Sequence, residues 1–321
     1  MRIVVVGAGV CGLVAARQLA AEHDVVVLER AGAPGGRLAT TRIGDAVFDT
    51  GAQFFTVRGE AFAAQADDWV ARGVAHVWCH GFHDAVDGYP RYVGSAGMAS
   101  LADDLATGLD VRLDRMVFTV RPGEAGWNVV VDDGTIVMAE RVVLTCPVPQ
   151  AWALLAESGI ELPDEVARRE YHRTIALLVA LERPSKVPSP GGVQFDPSDA
   201  DSPFGFVGDN AAKGISPVPA LTFHATQPWS AAHWEDPPTD LEAALLERAD
   251  PWIGDTTITA AQVVKWRFAG PMQPWPEPSW RDSSGSVVVA GDLFAGPKVE
   301  GAFNSGLAAA AAAAAAPSSF A

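Results

Sequence analysis

Gly7-Ala8-Gly9-Val10-Cys11-Gly12 is a spacing of residues that points to a chemistry before any fold is known. The first glycine permits a tight turn, the second lets backbone approach a pyrophosphate, and the third lets a helix pack on a strand. Amides at the helix start then face the phosphates, where the helix dipole favours negative charge. Glu29 lies 22 residues beyond Gly7 and is followed by Arg30. A carboxylate at that distance can accept hydrogen bonds from an adenosine ribose.

Such a fingerprint works only at the tip of a strand. Ile3-Val4-Val5-Val6 is a short β-branched run of the kind buried in a parallel sheet, Val10 to Ala21 reads as a helix, and Val25 to Leu28 as the next strand. Residues 32–60 form a Gly-rich connection. Gly97 to Leu101 opens another helix, and from Val111 to Cys146 the hydrophobic period changes to two, as in a β-meander. Residues 151–282 offer strand candidates at Thr174 to Leu181, Ala220 to Ala225 and Thr257 to Phe268, with Ser286 to Ala290 returning to the first style. The expected class is α/β: a three-segment Rossmann-type nucleotide domain (1–58, 94–150 and 283–321) with a β-meander, and an α+β substrate domain (59–93 and 151–282) on a mainly antiparallel sheet.

Rival chemistries are weaker. His76, Cys79, His80 and His83 carry metal-ligand side chains, but alternate residues of a strand point to opposite faces, so no metal is expected. No GxSxG elbow follows a strand. Cys11, Cys79 and Cys146 supply neither a disulfide framework nor a CxxC pair, which suggests a cytoplasmic setting. Subtracting 39 acidic from 23 basic side chains gives −16, a field that disfavours nucleic acid and anionic membranes. No membrane span is expected either.

The βαβ unit alone does not separate NAD from FAD. Gly35-Gly36-Arg37 suits a second grip on the pyrophosphate, and the distant Gly291-Asp292 suits a strand end whose carboxylate bonds a ribityl chain. Gly301-Ala302 begins a terminal helix whose positive end suits a flavin pyrimidine ring. These groups point to FAD.

With these motifs, 36–42, 48–56 and 264–269, the chain resembles the flavin amine oxidase superfamily over essentially its whole length and, within it, bacterial renalases. The resemblance implies oxidation of 2- and 6-dihydro isomers of NAD(P)H to NAD(P)⁺, with O₂ reduced to hydrogen peroxide. It further implies Gln53 and Phe54 beside the isoalloxazine, with Gly51 and Ala52 also at the cofactor, Val117 at the adenine and Arg37 at phosphate. No Cys occurs in 296–301, so the FAD is expected to be non-covalent. Lys265 stands where the related motif more often has His, which leaves its role open. No side chain is expected to act as a catalytic acid or base, because loss of hydride from a dihydropyridine gives an aromatic cation directly. Tyr92, Phe223, Trp266, Arg267 and Phe268 are the expected substrate contacts. The alternatives are an amine oxidase or desaturase, which an acidic substrate domain would suit, and a flavin-binding redox sensor without turnover.

Overall fold

The computed structural model describes residues 1–82, 87–124, 126–195 and 202–315. Its first sheet has six strands, ordered Trp280–Arg281, Val287–Val289, Arg141–Leu144, Arg2–Val6, Asp24–Leu28 and Asp110–Arg112. All pair in parallel except the antiparallel edge Trp280–Arg281. Alternation along the strands makes two cores. Ile3, Val5, Val25 and Val27 face helices Val10–Leu19, Ala99–Ala106 and Val299–Ala314, whereas Val4, Val6, Val26 and Leu28 face the meander. The meander itself has three strands, 117–123, 126–131 and 136–139, because Arg141–Leu144 leaves it to enter the parallel sheet between Arg2–Val6 and Val287–Val289. Among the described residues no helix is long and apolar enough to cross a membrane.

The second sheet is antiparallel, in the order Gly192–Gln194, Phe204–Asp209, Ala220–Ala225, Tyr171–Leu181, Ile258–Pro271. Ile175, Leu177, Val179, Leu221 and Phe223 point one way, into a core closed by Leu241, Leu245 and Ile253 of helix Pro238–Ile253. Leu178, Ala180 and Ala220 point the other way, onto Phe48. Phe48 belongs to a hairpin, Thr40–Ile43 with Ala46–Asp49, inside the Gly-rich connection 32–60.

Segment 59–93 was expected with the substrate domain, yet it bridges both lobes. Phe62, Ala66 and Trp69 of helix Glu60–Ala71 enter the core shared with the glycine-fingerprint helix, because their spacing makes one apolar stripe. Trp78 and Phe82 instead pack with Phe206 of the antiparallel sheet.

The glycine-fingerprint helix and the terminal helix approach at backbone distance. A Cβ on Gly306 would lie 2.6 Å from the Cys11 carbonyl oxygen and 2.9 Å from Val14 Cβ. Overpacking of this kind costs about 1–3 kcal/mol. Gly306→Val is therefore expected to lower the urea midpoint of unfolding, and an unchanged midpoint would contradict this packing.

Candidate functional site

The turn after the first strand is built as its glycines require. Gly7 sits at φ +105°, and a Cβ on Gly12 would lie 2.0 Å from the Gly7 carbonyl oxygen. Gly9, by contrast, has no atom within 4 Å of where its Cβ would be, and it lines the principal cavity. Glu29 is buried at the end of its strand and accepts from the amides of Ala8 (2.8 Å) and Ala31 (2.9 Å), which aims its carboxylate at the turn. Arg37 is ion-paired with Asp292, so the second glycine loop and the last strand of the sheet meet side by side.

A cavity of 570 Å³ runs from this turn to the antiparallel sheet. Gly9, Val10, Cys11, Gly35, Arg37, Gly291 and Asp292 line one end, and Gly51, Ala52, Phe54 and Ala302 line its middle. His172, Thr174, Gln194, His224 and Trp266 form the roof. Arg58, Asp87, Arg91 and Lys298 are the other charged residues of the lining. Burial pushes the Cys11 thiol up to about 12, which leaves it protonated and inert as a nucleophile.

One polar network, buried at Lys213, Asp49 and Gln53, holds the roof to the cofactor wall. Lys213 Nζ donates to Gln53 Oε1 (2.7 Å) and to Asp49 Oδ2 (3.3 Å). Asp49 Oδ1 takes the Thr40 hydroxyl and the Met98 amide, both at 2.7 Å. Gln53 Nε2 donates both its hydrogens, to the carbonyls of Asp49 and Gly51. The Thr50 carbonyl accepts from His224 Nε2 (3.1 Å) and from Trp266 Nε1 (2.8 Å), tying two roof residues to the segment that forms the wall. Burial draws the Lys213 ammonium below the ordinary lysine range, with the Asp49 carboxylate opposing it. Burial likewise brings His224 down to about 4, outweighing its bond to Thr50, and lowers His172.

The structure brings together Gly9, Val10, Cys11, Arg37, Gly51, Ala52, Phe54, Gly291, Asp292, Ala302 and Trp266 around this cavity. Gly7, Ala8, Gly12, Glu29, Arg30, Gly36, Gln53, Val117 and Gly301 stand outside its lining. Gly7, Gly12 and Gly301 shape the backbone behind it: a Cβ on Gly301 would lie 2.1 Å from the Gly296 carbonyl oxygen. Four of the five expected substrate contacts lie elsewhere. Phe223 is fully buried on the helix-covered face, one residue out of phase with His224. Arg267 is exposed, Tyr92 stacks on Phe55, and Phe268 packs edge-on to Tyr171. Lys265 donates to the carbonyls of Trp234 and Asp236. His76 Nε2 bonds the Lys213 carbonyl oxygen, His83 lies outside the described residues, and no metal-binding cluster occurs among those described. Lys213, Arg58, Arg91, His172 and His224 escaped the sequence reading. Strand alternation held the one usable signal, since a polar His beside Phe223 must take the opposite face.

The residues present fit FAD, because the open space above Gly9 is a cradle that a Cβ would enter while Gly291 and Asp292 flank the same cavity. Gly9→Val is expected to leave the unfolding midpoint of the FAD-free protein unchanged and to lower the FAD content of the purified protein. Lys213→Met leaves a buried carboxylate unpaired and is expected to cost about 3–5 kcal/mol in denaturant unfolding. As pH falls from 6.5 toward 4 the unfolded chain takes up a proton that folded His224 refuses, so stability falls with it. His224→Phe is expected to flatten that slope in pH-dependent melts.

A family model for an NAD(P)-binding Rossmann-like domain matches residues 5–69, and one for flavin containing amine oxidoreductases matches residues 58–314. Similar solved structures include a candidate protoporphyrinogen oxidase from Exiguobacterium sp. 255-15, at 13% identity and a TM-score of 0.74, covering 97% of this chain and 98% of that one. A putrescine oxidase is similar at 17% identity and the same coverage, with TM-scores of 0.66 for a triple mutant redesigned in cofactor binding and 0.62 for the wild type bound to putrescine. At these identities the likeness is one of fold. The family match spans most of the chain, and with it this protein belongs to the flavin containing amine oxidoreductase family and is an FAD-dependent oxidoreductase.

Proposed function

We propose that the chain is an oxidase of the renalase type, acting on the 2- and 6-dihydro isomers of NAD(P)H. The C–H bond at the reduced ring carbon breaks and its hydride leaves with both electrons. The ring becomes the aromatic NAD(P)⁺, and O₂ with one further proton becomes hydrogen peroxide. FAD, when bound, supplies the relay of those two electrons. The chain's own residues orient the donor and keep water from it. Trp266 and Phe54 supply flat walls, and the roof supplies polar atoms.

The charge of the cavity carries this reading. Arg37, Arg58, Arg91 and Lys298 line it against only two carboxylates, Asp87 and Asp292, and each carboxylate is already ion-paired with an arginine of the same lining. No carboxylate of the described lining is left to meet an ammonium group, whereas a dinucleotide phosphate finds partners. Arg58 lies 3.6 Å over the Tyr89 ring, and Arg91 lies 5.6 Å over Phe54 with its Nε unpartnered. Residues 151–282 do hold 19 acidic against 10 basic side chains. Exposed charges beyond a Debye length of about 8–10 Å are screened, so the local arginines dominate. We further propose that Glu29 and Arg30 hold the adenosine ribose end, Val117 the adenine, and Asp292 the ribityl chain. On this reading FAD is held without a covalent bond. Membership of an enzyme family leaves the sensor reading without support.

The test is anaerobic mixing of the FAD-loaded protein with 6-dihydro-NAD, ordinary NADH and an amine panel including putrescine, following loss of the flavin absorbance. Bleaching by the dihydro isomer is expected. Bleaching by an amine alone would overturn the reading in favour of amine oxidation. Arg58→Ala is expected to raise KM for the isomer about tenfold with kcat little changed, the pattern of a lost binding contact.

A further inference from the structure

Resting on the dinucleotide reading, we propose that His224 Nδ1 accepts a hydrogen bond from the substrate's carboxamide N–H and so selects which way the dihydronicotinamide ring lies against the cofactor wall. The tautomer follows from the partner of the other nitrogen. The Thr50 carbonyl can only accept, so His224 Nε2, 3.1 Å from it, carries the ring proton. Gln53 Nε2 lies 3.4 Å from the same nitrogen, but both its hydrogens go to backbone carbonyls, so it leaves that assignment unchanged. Nδ1 therefore holds a lone pair.

That lone pair faces the cavity. His224 lines it, and Nδ1 has no hydrogen-bond partner among the described residues. The buried side-chain atoms without a partner are Arg91 Nε and Asn210 Oδ1, so Nδ1 is open to the cavity and not sealed in protein. The Thr50 carbonyl holds both this ring and Trp266, and the residues after Thr50, Gly51 and Ala52, line the cofactor wall. His172, the other roof histidine, has no hydrogen bond among the described residues that fixes its tautomer. Burial, and after it the Lys213 charge, opposes a second proton on His224 and keeps it an acceptor. A neutral imidazole in a cavity that arginines also line is a poor seat for a cation and a fitting one for an uncharged amide N–H.

The experiment compares the 6-dihydro isomer of NAD with its acetylpyridine analogue, in which a methyl ketone replaces the carboxamide and removes its N–H. Anaerobic reduction kinetics give Kd and the limiting rate. Titration with the two oxidised dinucleotides, read through the flavin spectrum, gives affinity without turnover. Wild type is expected to bind the carboxamide compounds about tenfold more tightly, the size of one hydrogen bond. His224→Phe is expected to abolish that preference by weakening the carboxamide compounds alone, and His224→Gln, which keeps a donor and an acceptor, to retain it. Equal affinity of wild type for both compounds would overturn the role of His224 even if no variant folds, as would a Phe variant that weakens both alike. A wild type that neither binds nor oxidises either dinucleotide overturns the substrate reading itself, and this proposal with it.

Discussion

A lysine ammonium and an aspartate carboxylate, both wholly excluded from water, meet at 3.3 Å where the two lobes touch. Taking two such charges out of water costs several kcal/mol each, and their attraction repays this only when every remaining donor and acceptor is satisfied. Here they are. Asp49 collects a hydroxyl and an amide besides Lys213, and Lys213 reaches Gln53 and lies 5.5 Å from the Trp78 ring centre. What the pair contributes is geometry. Lys213 lies in the turn between two strands of the antiparallel sheet, and Asp49 ends the hairpin that leads into the cofactor wall. The pair joins that turn to that hairpin, and the cavity lies between roof and wall.

Much of the nucleotide lobe was legible in the sequence because its determinants are local. Four consecutive β-branched or valine residues, a glycine turn and an apolar helix dictate strand, turn and helix within twenty positions of one another, and the parallel sheet follows. The 40–49 hairpin was not legible, since its core residue Phe48 is explained only by Leu178 and Ala180 far along the chain. Lys213 was invisible for the same reason: its partners are 160 and 164 residues away. The roof failed differently. Aromatic size drew attention to Phe223, whereas period-two alternation sends that side chain under helix Pro238–Ile253 and turns His224 toward the cavity.

Charge behaves in opposite ways at two scales. The whole chain carries −16, and its acidic surface repels anions at long range. The cavity places cations where a ligand would be in contact with them, and two of these are already ordered against carboxylates. Ordered guanidiniums lose less freedom on binding than mobile ones, so a pocket of this kind selects by complementarity at contact range.

The direct measurement of that selectivity is equilibrium binding to the FAD-loaded protein, titrating NAD⁺ and putrescine separately at low and high salt and reading the flavin spectrum. NAD⁺ is expected to perturb the spectrum with an affinity that falls as salt rises, and putrescine to leave it unchanged. Saturable binding of putrescine with no response to NAD⁺ would contradict it.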